Sequence, residues 1–126
     1  MTKLNQVWKC EMCGNIVELV HSGAGELVCC GVPMELQVEK SKEEGKEKHV
    51  PVVEELDNNK FKITVGSTPH PMEKNHFIEW IEVVSDEVAK RHPLKPGQTP
   101  EVISYSGTDN YYIRAYCNIH GLWSSK

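Results

Sequence analysis

Five cysteines and four of the six histidines fall in short clusters whose spacing suits metal binding. Cys10 and Cys13 form a CxxC, and fifteen residues later comes the adjacent pair Cys29-Cys30. Four thiolates in so short a stretch predict one tetrahedral site for zinc or iron. Gly14 after Cys13 and Gly31 after Cys30 permit the tight turns that aim four sulfurs at one point. A zinc ribbon or a rubredoxin pairs two CxxC arms, whereas neighbouring cysteines on one ion demand an unusual backbone path and a distorted tetrahedron. The ligand types leave a structural zinc and a redox iron both open.

A second set is spread over the remainder of the chain. His49 stands in Glu47-Lys48-His49-Val50-Pro51, His70 and His76 stand in Pro69-His70-Pro71-Met72-Glu73-Lys74-Asn75-His76, and Cys117 and His120 stand in Cys117-Asn118-Ile119-His120-Gly121. Prolines on both sides of His70 disfavour helix and predict a stiff loop that presents the ring in one direction. A turn can bend the three-residue step from Cys117 to His120 onto one ion. Four imidazoles and a thiolate exceed the four-coordinate shell of structural zinc and differ from the two-histidine, one-cysteine set of blue copper. Five-coordinate iron with an open position fits that donor set better.

Positioning these groups requires two bodies. The first 38 residues read as short strands, at Gln6 to Lys9, Ile16 to Val20, Glu26 to Val28 and Met34 to Val38, around a Ser22-Gly23-Ala24-Gly25 turn. A unit that small cannot bury enough surface to fold alone, so the cysteine site is expected to hold it together. Residues 39–48, Glu-Lys-Ser-Lys-Glu-Glu-Gly-Lys-Glu-Lys, contain no apolar side chain and are expected to form a solvated linker. Residues 49–126 then make the second domain. Its strand-like runs, Val50 to Glu55, Lys60 to Val65, Val102 to Tyr105 and Tyr111 to Tyr116, are punctuated by turn residues and suggest an all-β sandwich. Phe77, Trp80, Ile81, Val84 and Val88 recur at helical spacing, with Glu79, Glu82 and Asp86 opposite. Aromatic and β-branched enrichment argues instead for a strand buried on both faces, and strand is the expectation.

The composition bounds the partners. A net charge of −4 without a basic stripe gives no footprint for nucleic acid, and no run approaches the length of a membrane span. The opening residues lack the apolar core of a secretory signal, so a reducing cytoplasm is expected, where clustered thiols serve as metal ligands more often than as disulfides. The odd cysteine count agrees.

The CxxC, the Cys-Cys pair and the three later blocks closely resemble desulfoferrodoxin, the two-iron superoxide reductase family of anaerobic and microaerophilic microbes. The likeness covers nearly the whole chain. It implies a desulforedoxin-like first domain, an immunoglobulin-like seven-stranded sandwich as the second, and a homodimer. Cys10, Cys13, Cys29 and Cys30 would bind the first iron. His49, His70, His76 and His120 would bind the second equatorially, with Cys117 axial and the sixth position facing solvent. Glu47 and Lys48 match the charged pair beside that position, where the lysine attracts superoxide and the glutamate can bind oxidised iron. The activity implied is one-electron reduction of superoxide to hydrogen peroxide without dioxygen, with electrons from a donor such as rubredoxin. His21 and His92 match no ligand position, and the Arg91-His92-Pro93 and Ser106 to Asn110 stretches are where loops of the family vary.

Other classes compete. A pure electron-transfer protein would use both irons and bind no small molecule, and a zinc-stabilised interaction module would leave the histidines unrelated to metal. Hydrolysis by activated water ranks last, because catalytic zinc sites usually keep three protein ligands.

Overall fold

The computed structural model describes residues 2–41, 48–86 and 88–126. It divides into two units, Met1–Val38 and Glu39–Lys126, and contains strands and turns but no helix among the described residues.

In the first unit β1 (Val7–Lys9) pairs antiparallel with β2 (Ile16–Glu18) on one side and β5 (Glu35–Leu36) on the other. Between them β3 (Val28–Cys29) and β4 (Val32–Pro33) form a separate hairpin. The strand expected at Glu26 to Val28 thus starts two residues later and turns back at once. Cys30 and Gly31 occupy its two turn positions with φ of 54° and 74°, the left-handed pair that matches the twist of a two-residue hairpin. This is the unusual path that adjacent cysteines demanded: Cys29 ends a strand and Cys30 begins the turn. The buried apolar set is small, with Val7, Cys10 and Met34 inside while Met12, Val20 and Val38 lie open to solvent. So thin a core needs the cross-link that four thiolates on one ion would provide.

The second unit is a sandwich of two antiparallel sheets. One has the order β10 (Glu101–Tyr105), β7 (Lys60–Val65), β6 (Pro51–Glu55). The other has the order β12 (Gly121–Ser124), β11 (Tyr112–Cys117), β8 (Ile78–Ser85), β9 (Val88–Pro93). These seven strands of the described residues enclose Phe61, Ile63 and Val65 of β7, Ile81 and Val83 of β8, and Ile113 and Ala115 of β11. The segment with helical spacing is a strand. Its two faces are both covered, Ile81 and Val83 by the core and Glu82 and Val84 on the opposite side, and that double burial erased the alternation.

Glu82, expected on an outward polar face, is fully buried instead. It lies directly across from Arg114 in the β8–β11 register, and the two carry a 2.9 Å ion pair to which Trp80 Nε1 adds a 3.1 Å bond to Oε1 of Glu82. Arg114 also reaches Glu39 at 3.3 Å. Glu39 and Lys40, at the front of the expected linker, are therefore fastened to the second unit. Lys40 N donates to Leu122 O and Ser124 N donates to Lys40 O, which lays the chain parallel to β12.

Two strands of the second unit were not expected. β9 takes in Arg91-His92-Pro93, where a variable loop was anticipated; it is a charged edge strand of the kind that resists further pairing. His92 on it is structural, with Nε2 2.9 Å from Ser104 Oγ on β10. β12 is only four residues long. At the end of the sandwich formed by the Asp57–Lys60 turn and the Ser106–Asn110 loop, a groove of about 750 Å³ opens between Asp57, Lys60, Thr108 and Tyr111.

Candidate metal centres

Both predicted ligand sets come together, with the donor atoms of each set all within 4.8 Å of one another. In the first unit the β1–β2 connection is a knuckle: Gly14 N donates to Cys10 O and Cys10 N to Asn15 O, each at 2.8 Å. Gly14 takes φ of 83°, which a side chain would resist. Cys13 Sγ lies 3.6 Å from Cys29 Sγ, and Cys29 Sγ lies 4.0 Å from Cys30 Sγ. A tetrahedron with metal–sulfur bonds of about 2.3 Å has sulfur–sulfur edges of about 3.8 Å, so the quartet already has the dimensions of such a site. Its ionisation agrees. Amide hydrogen bonding at Cys13 brings the Cys10 thiol down to about 7, while the sulfurs of Cys13, Cys10 and Cys29 push Cys30 up to about 12. Only a bound cation would let all four ionise together.

The second centre sits where β7 and β11 end and β6 and β8 begin. After Val65 the chain turns, with His70 N returning to Val65 O at 2.8 Å. His70 Nδ1 donates to the Pro71 carbonyl at 2.7 Å, which fixes the tautomer and leaves Nε2 as the lone-pair nitrogen. That Nε2 is buried and has no hydrogen-bond partner among the described residues, and the same holds for His76 Nε2. Two buried ring nitrogens without partners are costly unless something binds them. Burial, opposed by the Pro71 bond and reinforced by the neighbouring histidines, brings His70 down to about 4, so the ring is neutral and able to ligate.

His76 is presented by a tight turn closed by the paired Glu73 and His76 backbones. Cys117 ends β11 after a register shift opposite β8, and burial raises its thiol above the ordinary range. Three residues on, His120 N points to Cys117 Sγ at 3.4 Å, and Gly121 at φ of 85° closes the turn to β12.

The four rings close a cycle. His49 lies 4.7 Å from His70, His70 lies 4.8 Å from His76, His76 lies 5.1 Å from His120, and His120 lies 4.7 Å from His49, each pair edge to face. His49 Nε2 is 3.1 Å from His120 Nδ1 and Cys117 Sγ is 3.7 Å from the same atom. Two nitrogens at about 2.1 Å from one ion are about 3.0 Å apart at a right angle and about 3.4 Å apart in a tetrahedron. The observed distance favours the right angle, which is what four nitrogens around one plane require. Burial is graded: His70 and Cys117 are buried, His49 and His76 half-buried, His120 exposed.

Lys48 immediately precedes His49 and is half-buried, whereas Glu47 lies outside the described residues. Neither His21 nor His92 joins a ligand cluster. Three residues missed by motif reasoning hold the site. The Asn118 side chain accepts from Phe77 N at 2.9 Å and donates to Asn75 O at 3.1 Å, stapling the His76 turn to the Cys117 turn. Trp123 stacks on His49 with centroids 4.6 Å apart and planes 17° apart, and Lys40 Nζ donates to His120 O at 2.8 Å. Asn118 lies inside the Cys117–His120 block and carried a signal; Lys40 and Trp123 carried none.

Comparison with known proteins gives one direction. Residues 41–126 match the family model described as desulfoferrodoxin, and residues 2–37 match that of the desulfoferrodoxin N-terminal domain. A desulfoferrodoxin homolog of Archaeoglobus fulgidus is 56% identical over 125 residues, covering 99% of each chain. A superoxide reductase of Pyrococcus horikoshii is 34% identical over 98 residues, covering 64% of this chain and 85% of its own. The crystal structure of the superoxide reductase from Treponema pallidum shares the fold with a TM-score of 0.74 at 23% identity, covering 96% of this chain and 97% of that one.

Proposed function

Because this chain belongs to the desulfoferrodoxin family, we propose that it is a superoxide reductase with one iron at Cys10, Cys13, Cys29 and Cys30 and a second, reactive iron at His49, His70, His76, His120 and Cys117. The observation that carries this reading is the closed cycle of four imidazoles sharing one point with the Cys117 sulfur. A hydrolytic zinc has no use for five protein donors, and a structural zinc closes its shell at four.

Ferrous iron at that point would supply one electron, so that superoxide, one electron and two protons give hydrogen peroxide and no dioxygen. The protein's own groups set the conditions. The Pro71 carbonyl keeps the His70 proton on Nδ1, and Asn118 fixes the His76 turn relative to Cys117, so the donors need no rearrangement. Burial of Cys117 shields its sulfur from water, and as a thiolate that sulfur would donate electron density to the iron. With a net charge of −4, capture of an anion needs a local positive field, and Lys48, beside His49, is the residue assigned to it. Glu47, ahead of Lys48 in the sequence, is proposed as a group that could bind the oxidised iron. Rubredoxin or a protein like it is the proposed donor, the cytoplasm the proposed compartment, and a homodimer the proposed assembly. The apolar residues left open in the first unit, Met12, Val20 and Val38 among them, support the last.

The test is iron-replete chain purified without oxygen. Two irons per chain, two sets of thiolate absorption that bleach on reduction, and one hydrogen peroxide per superoxide consumed without dioxygen are expected. One zinc and no visible absorption, or dioxygen among the products, would refute the reading.

A further inference from the structure

Lys40 lies outside every ligand motif, nine residues ahead of the first histidine of the site. Two backbone hydrogen bonds to β12, from Lys40 N to Leu122 O at 2.9 Å and from Ser124 N to Lys40 O at 2.8 Å, fix its main chain. From that anchor the side chain, although exposed, does not trail into solvent. Its Nζ donates to the main-chain carbonyl of His120 at 2.8 Å, lies 5.4 Å from the centre of the Trp123 ring, and would stand 3.8 Å from a Cβ placed on Gly121. Trp123 in turn stacks on His49. His120 and His49 are neighbours in the cycle of rings, and their ligand nitrogens are 3.1 Å apart.

We propose that Lys40 is a positioning residue of the histidine–cysteine centre, holding His120 through its carbonyl and His49 through the Trp123 ring. The inference rests on the reading of that cluster as a metal centre. An ammonium bonded to a carbonyl is a charge-assisted bond, stronger than a neutral one, and a cation over an indole face adds to it. Two of the four rings then depend on one side chain outside the ligand shell. Groups of this kind typically change metal affinity by about ten- to a hundredfold when removed. The charge has a second effect. A cation beside the centre disfavours the more positive, oxidised ion, so its loss should lower the reduction potential.

The experiment uses the full chain and Co(II) as the probe, titrated against a competing chelator, with Lys40→Met and Lys40→Arg compared with the unaltered protein. The four-cysteine site in the same molecule is the internal reference. Lys40→Met is expected to weaken Co(II) binding at the histidine–cysteine centre by about tenfold and to shift its ligand-field bands, with the thiolate-to-cobalt bands of the quartet unchanged. Iron-loaded Lys40→Met should also have a lower potential at that centre. Lys40→Arg, which keeps the donor and the charge, should recover most of both properties. Unchanged affinity, bands and potential in Lys40→Met would overturn the proposal. So would equal damage from Met and Arg, or weakening of both metal sites together, which would mark a general loss of structure. If the unaltered chain takes up no Co(II) at the histidines, the metal-centre reading fails and this proposal with it; if it does and Lys40→Met matches it, the role of Lys40 alone fails.

Discussion

Acidifying the metal-free chain from pH 7 to pH 5 should cost the second unit about 2 kcal/mol through His70 alone, given a folded value of about 4 against 6.5 unfolded. The ring is 3% exposed, and burial, with the other three histidines nearby, opposes its protonation more strongly than the Pro71 carbonyl favours it. Because the folded value is depressed, the unfolded chain takes up the proton first. Stability is therefore full above about pH 6.5, declines as pH falls toward 4, and levels off below that. Integrated over that window the loss reaches about 3 kcal/mol at pH 4. The assay is urea unfolding with chelator present, in a Trp8→Phe background so that fluorescence comes from Trp80 and Trp123 of the second unit alone. His70→Gln removes the titrating group. The stability difference between the chain that keeps His70 and the His70→Gln variant should shrink by about 2 kcal/mol between pH 7 and pH 5, with a slope of at most one proton. A difference that does not vary with pH would show that burial does not hold His70 neutral, and the argument from its orphaned nitrogen would fall. Bound metal should displace the whole dependence to lower pH, since proton and ion compete for the same lone pair.

Cys117→Ser should abolish the thiolate absorption of the histidine centre, leave that of the cysteine quartet in place, and cut superoxide turnover by more than about tenfold; spectra and stopped-flow kinetics on one preparation check all three. Glu82→Leu leaves Arg114 buried beside an apolar group without its 2.9 Å ion pair, and should lower the urea-derived stability by about 3 kcal/mol. A loss below about 1 kcal/mol would mean that the remaining contacts of Arg114, Glu39 among them, suffice. Lys48→Ala should slow the second-order reaction with superoxide and flatten its dependence on ionic strength. Unchanged salt dependence would remove Lys48 from anion capture.

The ligand sets were legible because their chemistry is local: a CxxC, a Cys-Cys pair, a histidine between prolines and a Cys-x-x-His turn each declare themselves within a few residues. Most strands were legible for the same reason, as in β6, β7 and β11, whose bounds differ from expectation by at most about one residue. What escaped was set by pairing across the fold. β9, Val-Ala-Lys-Arg-His-Pro, has two adjacent cations and a closing proline, and only its place at the edge of β8 makes it a strand. Glu82 reads as a surface carboxylate until Arg114 stands opposite it. Lys40 and Trp123 belong to the centre only because the chain ahead of the histidines lies along β12, and no spacing rule connects residue 40 with residue 120. The β3–β4 hairpin was hidden because its turn is Cys-Gly where Asn-Gly would have signalled it, the cysteine having taken the left-handed position for the sake of its sulfur.

The sandwich has a working end and an idle one. The strands that flank the ligands run toward or away from the Pro51, Val65, Ile78 and Cys117 end, while the Asp57–Lys60 turn and the Ser106–Asn110 loop close the other. Extra residues inserted at the idle end would lengthen two solvent-facing connections without touching any strand register or any group that supports the rings. That makes this loop pair the natural place to graft a tag, a surface-tethering cysteine or a whole second protein. An electrode or an artificial donor could be attached there with the centre left as built.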